Sequence, residues 1–415
     1  MTGKNAEDIL VDRVTEPTSE ASAFHSNMYA SKNSLGRLPE RCDDRAAMTK
    51  AALEASLGLP PSADTLFASA GAGNLFTSRP WFEAFLAAGL APGAEPMFLM
   101  LNGADGPRAL LPCQRMAHGD PSVSSLTSFY SCDFRPLIAA GDDAAFDLGR
   151  AVAEHLLGEA EFGFDSLATD WPGLDPFLKG LARPGRALLR YAHFGRWWED
   201  VRGQSFGDYL AERDGALREV IRRKTTRLER DGAALTMIGA GSAPAEVEAG
   251  IADYEAVYAA SWKEAEPFPD FQPTLMRKLA EAGWLRLALL HVEGRPIAAQ
   301  LWTLVGGTAT VLKLAHDQRF DKQSPGTVLT AFAIRTLMTG ETVERLDFGR
   351  GDDPYKRGWA TRRTPYIGIR SVSVARRPLR VARHLLGAVV RSVRALDARA
   401  EPGQAAQAKG LSSGA

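Results

Sequence analysis

"KLAHDQRFDKQSPGTVLTAFAIRTLMTGETVERLDFG", residues 313–349, decides how this chain folds. An apolar strand ends near Ala315 and a polar loop follows it. Ser324-Pro325-Gly326-Thr327 then opens a helix that Gly340 ends. Proline suits that first turn, where a missing N–H loses no partner. "ERLDFG" closes the stretch as a second, short strand. A helix start exposes unpaired N–H groups and a partial positive charge, so Ser324 to Thr327 make a potential anion site. Gly326 would let a phosphate approach the backbone closely. No Gly-Lys-Ser/Thr follows, so this is not a Walker A loop, and an ordinary helix start is the alternative.

Upstream, "LRLALLHVEGRPIAAQLWTLVGGTATVLKLAHD" (285–317) reads as three strands with turns at Glu293-Gly294 and Gly306-Gly307. A similar order runs through the first half. "PMFLMLNGADGPRALLPCQRM" is a hairpin turning at Asp105-Gly106, and "SLTSFYSCDFRPLIA" continues the sheet. "DDAAFDLGRAVAEHLLG" is a helix, "FGFDSLATDW" a strand, "PGLDPFLKGLA" a short helix and "ALLRYAHFGRWW" a strand. The two halves rhyme in element order, not in residue identity. Between them, residues 206–231 read as a helical segment. Tyr209, Leu210, Leu217, Val220, Ile221 and Leu228 form its apolar stripe, and Gly232 its stop. Arg222, Arg223, Lys224, Arg227 and Arg230 make the other face basic, as either a solvated surface or a groove wall facing an anion.

The chain has 415 residues, 45% of them apolar, and a net charge of −1, so no global field points toward nucleic acid. Cys42, Cys113 and Cys132 show no metal spacing, which predicts reduced thiols, no metal site and a cytoplasmic setting. The first twenty residues contain no apolar core of a signal peptide, and no run is long enough to span a membrane. Residues 1–60 read as a mostly disordered leader with a short helix near Arg45 to Leu57, and 401–415 as a disordered tail. Residues 376–400 carry Leu379, Leu386, Val393 and Leu396 at helical spacing among arginines. They are expected to form a basic amphipathic helix for a peripheral contact with an anionic membrane, or for packing.

"DFGRGDDPYKRGWA" (347–360) holds two familiar tripeptides, both incidental. A kinase DFG needs a Gly-rich loop, a strand lysine and an H-R-D loop upstream, all missing here. Asp352, Asp353, Tyr355 and Lys356 are instead candidates for proton transfer and acceptor binding, with a plain helix start as the alternative. Trp359 reads as core. His193 and His291 fall in strand runs and read as structural.

"PIAAQL", "LKLAHD", "SPGTVL", "LDFGRGDDPYKRGW" and the earlier "RRKTTRLERDG" together resemble GNAT acyltransferases of the CelD-like (cellulose biosynthesis) branch, related to the FemABX peptidyltransferases. The resemblance spans roughly residues 65 to 375. It implies an α+β fold of two fused GNAT-like domains, with mixed, mainly antiparallel sheets flanked by helices and a helical insertion between them. The domains would be 61–200, degenerate, and 201–375, catalytic, including 206–231. It also implies acetyl-CoA or another acyl-CoA as co-substrate, with its pyrophosphate at Ser324, Pro325, Gly326 and Thr327. The pantetheine arm would run beside Lys313, Leu314 and Ala315. The turn has one glycine where the common GNAT pattern has more. The implied reaction is N- or O-acyl transfer to a sugar, polysaccharide or cell-envelope precursor, with Asp352 or Asp353 as base, Tyr355 as acid and Lys356 holding the acceptor. No cysteine falls in the expected site, so transfer would be direct, in a ternary complex. Two alternatives stand beside this: FemABX-like transfer from aminoacyl-tRNA, and a non-catalytic partner in polysaccharide export.

Overall fold

A computed structural model describes residues 52–387 apart from 70–72, 118, 120, 140–142 and 385. Its strands, in chain order, are β1 (Ala52–Ser56), β2 (Ala94–Gly103), β3 (Gly106–Met116), β4 (Val123–Ser125), β5 (Leu137–Ile138), β6 (Glu161–Ala168) and β7 (Arg186–Asp200). The second half adds β8 (Ala233–Ile238), β9 (Leu285–Val292), β10 (Arg295–Val305), β11 (Thr308–His316), β12 (Arg345–Arg350) and β13 (Arg362–Ser373). The α-helices of the first half are α1 (Asp64–Ser69), α2 (Arg79–Ala88), α3 (Ala145–His155) and α4 (Leu174–Leu181). They continue as α5 (Phe206–Ala211), α6 (Gly215–Arg230), α7 (Pro244–Ala259), α8 (Phe271–Glu281), α9 (Pro325–Gly340) and α10 (Lys356–Trp359).

All strands join one mixed sheet in the order β1-β2-β3-β4-β6-β13-β7-β12-β11-β10-β9-β8, with β5 on the side of β3. From either edge inward the order is the same, β1, β2, β3, β4, β6 against β8, β9, β10, β11, β12. At the centre the halves exchange their last strands. β13 pairs with β6 of the first half, β7 pairs with β12 of the second, and β13 and β7 pair with each other along the whole of β13. Among the strands of the described residues, β4–β6 and β11–β12 are the parallel pairs, and an isolated parallel bridge joins Phe134 to Leu167. The fold is thus α+β, built of two halves with the same element order.

The helices cover the sheet because each has one apolar face. Val328, Leu329, Ile334 and Leu337 of α9 are buried against Trp302, Val311 and Leu346 of the second half. Each such aliphatic side chain taken from water stabilises the fold by about 2 kcal/mol. Trp81 and Phe85 of α2 meet Phe271 of α8 edge to face, which closes a second apolar layer.

Three expectations need correction or limits. Ala52–Ser56 is a strand, not part of a helix at Arg45 to Leu57; the free edge of β2 pairs with it residue by residue and overrides its helical propensity. Residues 206–231 form two helices, not one. Arg213 turns inward to Glu199 (3.1 Å) and to the Trp359 carbonyl (3.1 Å), and Asp214 then caps α6 by accepting the Ala216 N–H. Of the 376–400 helix, residues 378–384 are helical with Leu379 exposed, and most of the rest lies outside the described residues, as do 1–51 and 401–415. Among the described residues no helix is long and apolar enough to cross a membrane.

Candidate active site

β11 and β12 pair for only three residues each, Thr308–Thr310 against Arg345–Asp347. Beyond that point they separate. Gly349 makes the departure possible: its φ of +69° is costly for a residue with a side chain, and a Cβ there would stand 3.4 Å from both Cys132 Sγ and the Val311 carbonyl. The register of β12 on β7 breaks at the same place, between Asp347 and Arg350. The "DFG" tripeptide therefore has a local task. Asp347 is buried, accepts the Gly349 N–H (2.8 Å) and lies 2.7 Å from Arg196 Nε. Phe348 packs on Trp302, and Gly349 opens the gap.

The gap contains a cavity of about 220 Å³. Val311 to Leu314 line it from β11, Phe348 to Arg350 from β12, and Asp353, Tyr355 and Lys356 from the loop beyond. Its apolar side comes from the first half and from α8, through Phe129, Tyr130, Trp81 and Phe271. The matching parallel pair of the first half is filled differently. The Asp165 N–H donates to Ser125 Oγ (3.0 Å), and Phe134 bridges to Leu167 across the space after β4.

Charge inside the cavity is uneven. Lys356 is buried, and its ammonium donates to the Arg350 and Gly351 carbonyls and lies 2.9 Å from Asp353 Oδ2. Lys313 Nζ donates to Glu266 Oε1 at 2.5 Å and lies over the rings of Phe129 and Tyr130. Burial alone would raise the Glu266 pKa, but hydrogen bonds from Lys313, Tyr130 and Tyr258 outweigh it and hold the carboxyl below its ordinary value. Lys263, also on the lining, has among the described residues no carboxylate within ion-pair distance, and it lies over the rings of Tyr258 and Trp262. Burial, helped by the charges of Lys313 and Lys356, pulls its ammonium down to about 8. Burial and the Asp353 charge raise the Tyr355 hydroxyl, so it keeps its proton at neutral pH.

The sequence-derived residues separate in space. Asp353, Tyr355, Lys356, Lys313 and Leu314 line the cavity. Asp352 does not. It forms a two-pronged pair with Arg363 (2.7 and 2.9 Å) and accepts from Trp197 Nε1 (3.0 Å), and the Arg363 bonds hold its pKa below the usual value. Ala315 is buried in β11 beyond the cavity. Ser324 adopts the left-handed conformation at the start of α9. Pro325 has no N–H, and the Thr327 and Val328 N–H groups both donate to the Ser324 carbonyl. That leaves the Gly326 N–H without a backbone partner among the described residues. Lys224 of α6 donates to the Lys322 carbonyl beside this turn, so the basic face of α6 reaches it.

One expectation is overturned here. A cysteine does line the cavity: Cys132, from the first half, 219 residues or more before the loop that holds the other candidates. Burial raises its pKa, so it stands there as a thiol. Lys263 was missed because a lone lysine after Trp262 has no pattern; only its place on the cavity lining with Lys313 and Lys356 marks it. Trp359 is core, His193 accepts the Ser166 N–H (3.1 Å) and His291 pairs with Asp253 (2.9 Å).

Residues 215–357 match the acetyltransferase (GNAT) domain family, which covers the gap, the α9 turn and the loop through Lys356. No curated protein matches the chain by sequence. Among solved structures, FemX aligns with a TM-score of 0.52 at 11% identity, over 76% of this chain and 96% of that one. L-PGS from Bacillus licheniformis aligns with a TM-score of 0.47 at 12% identity, over 81% and 97%. A tandem GNAT protein from the clavulanic acid biosynthesis pathway gives a TM-score of 0.45 at 12% identity, over 77% and 98%. From residue 215 to residue 357, then, this chain is similar to the acetyltransferase (GNAT) domain, and over 76% of its length it shares its fold with FemX.

Proposed function

We propose that the protein is an acyl-CoA-dependent acyltransferase that moves an acyl group, acetyl in the simplest case, to an amine or hydroxyl of a sugar, polysaccharide or cell-envelope precursor. The observation that carries this reading is the gap between β11 and β12, which holds a lined cavity, with Gly326 at the start of α9 facing His316 at the end of β11. An extended thioester could lie along Lys313 and Leu314 there, offering its carbonyl to the unpaired strand edge, where N–H groups stabilise a developing oxyanion.

The acceptor must lose a proton as it attacks, and the thiolate must gain one. Lys263, with its ammonium weakened to about 8, is a base for the first step, and Asp353 is a second candidate, though its pairing with Lys356 holds it. Tyr355, protonated at neutral pH, suits the second step. The raised thiol of Cys132 favours direct transfer over a covalent acyl-cysteine. The α9 turn would supply the Gly326 N–H to the pyrophosphate, with Lys224 and Lys322 nearby for its charge. No metal is needed for this chemistry.

The test is calorimetric titration with acetyl-CoA and longer acyl-CoAs, followed by an assay of thiol release with amino and hydroxyl sugars. If no acyl-CoA bound, this reading would fall. The fold shared with FemX and the exposed arginines Arg222, Arg223, Arg227 and Arg230 support a second reading, transfer from aminoacyl-tRNA. Binding of charged tRNA in place of acyl-CoA would select it. Inertness of the wild type toward both donors would favour a non-catalytic partner.

A further inference from the structure

A second cavity, of about 250 Å³, lies on the other side of the wall made by Cys132-Asp133 and Asp347-Phe348-Gly349. The two cavities share no lining residue: Cys132 faces one and Asp133 the other, and Phe348 and Asp347 divide in the same way. The second is lined by β7, β11, β12 and β13, where the exchanged strands meet, and by the Gly73–Leu75 turn.

Asp133 is its most informative group. Only 3% of its side chain is exposed, and Oδ2 accepts the Asn74 amide (2.5 Å) and lies 3.4 and 3.7 Å from Arg135 and Arg196, yet among the described residues Oδ1 has no hydrogen-bond partner. A buried acceptor left bare is costly unless something donates to it. The charged lining is balanced, with Asp133, Asp170 and Asp347 against Arg135, Arg196 and Arg345. Arg196 is taken up by Asp347 (2.7 Å), and the Arg345 guanidinium lies 3.9 Å over the Trp198 ring. A free anion would meet the bare Asp133 oxygen, and a free cation would meet the arginines. The remaining polar lining is the Asn74 amide, already engaged by Asp133, and hydroxyls of Thr308, Thr310, Thr364 and Tyr366, groups that both donate and accept. Trp171 adds an aromatic surface.

We infer that this cavity is a binding site for a neutral polyhydroxylated small molecule, a sugar unit, one of whose hydroxyls donates to Asp133 Oδ1. The binding does not rest on the acyl-transfer reading; only the further step, that the occupant is part of the acceptor, does. The experiment therefore omits acyl-CoA. The full chain is titrated by calorimetry and ligand-observed NMR with glucose, galactose, N-acetylglucosamine and myo-inositol. Alanine, acetate and methylammonium serve as zwitterionic, anionic and cationic controls. Saturable binding of at least one polyol is expected. It should weaken about tenfold in Asp133→Asn, which offers a second donor where an acceptor is required, and several-fold in Thr308→Val. Thr308→Val keeps the shape of a surface-edge position, so it reports even if Asp133→Asn folds poorly. Acyl-CoA titrations of the same variants should match wild type. Absence of polyol binding, preference for a charged control, or polyol binding unaltered in both variants would each overturn the inference.

Discussion

Lys313 Nζ lies 2.5 Å from Glu266 Oε1, and through this pair the loop after α7 braces the strand that forms one wall of the cavity. Both side chains are largely buried. Lys313→Met leaves the Glu266 carboxylate without its cation, and loss of one partner of such a pair costs about 3 kcal/mol. The pH dependence has a definite sign. Glu266 titrates below its ordinary 4.5, so its contribution is present above that value and is lost as pH falls through the lowered one. Thermal unfolding of Lys313→Met should therefore show its acid limb displaced to higher pH. The pair Lys313→Met with Glu266→Gln should remove that displacement. An acid limb unaltered in Lys313→Met would refute the coupling.

Lys263 should set the alkaline rise of the reaction. Its ammonium gives up a proton near pH 8, and a base acts only after losing it. Activity with a saturating acyl donor is expected to climb through about pH 8 and then level. Lys263→Met should flatten that limb and lower the plateau by about a hundredfold. Lys263→Arg, charged throughout, should do the same without altering the fold. Retention of the limb in both variants would pass the role of base to Asp353.

Asp352 and Asp353 stand next to each other in sequence and do different work. Asp352 ties the loop to Arg363 of β13 and Trp197 of β7, a partly exposed pair whose loss costs about 1 kcal/mol. Asp352→Asn should lower the melting temperature by a few degrees and leave turnover nearly as it was. Asp353→Asn removes the carboxylate partner of Lys356 at the cavity and should depress turnover with little change in melting temperature. Steady-state kinetics and calorimetry on the two variants separate these effects, and the reverse pattern would contradict the geometry.

Much of this was legible in the sequence. The Glu293-Gly294 and Gly306-Gly307 turns, the Pro325–Gly340 helix and the Arg345–Arg350 strand all lie within a residue of where local turn chemistry and periodicity put them. The similar element order of the two halves was legible too, because it is a matter of succession. Strand exchange was not. β7 and β13 each follow their own half in sequence, and nothing local in "ALLRYAHFGRWW" or "YIGIRSVSVA" says that they cross to the other half's neighbours. Cys132 and Lys263 were hidden for the same reason: their chemical neighbours are Gly349 and Lys313, far away in the chain. Asp352 was overvalued because spacing shows that an acid is near a site, but not which way it turns.

Gly326 separates cofactor binding from stability. A Cβ there would make only ordinary contact, 3.5 Å from His316 Nδ1, and alanine is the better helix former by about 1 kcal/mol. Gly326→Ala should therefore melt no lower than wild type. Its methyl group would crowd the Gly326 N–H, which has no backbone partner among the described residues, and raise KM for the acyl donor about tenfold, with kcat preserved, since binding at the pyrophosphate is remote from the reacting carbonyl. An unaltered KM would mean that the donor's phosphates sit elsewhere.

Gly163 tests whether the exchanged strands make the two halves one cooperative unit. It lies on β6 opposite Arg370 of β13, and a Cβ at this position would come 2.4 Å from the Ile369 carbonyl, a backbone atom that cannot yield without shifting the strand. Gly163→Ala should therefore destabilise the protein by about 2–3 kcal/mol, in the range expected for overpacking a close contact. Residues 52–381 belong to one compact unit, and β13 carries the strain from the first half directly to β7, and through β7 to β12. The loss should consequently appear as a single transition at lower temperature, with acyl-donor binding in the second half melting out at that same temperature. Differential scanning calorimetry with and without the donor checks this. Two resolved transitions, with the donor shifting only the later one, would show that the halves unfold independently despite sharing a sheet.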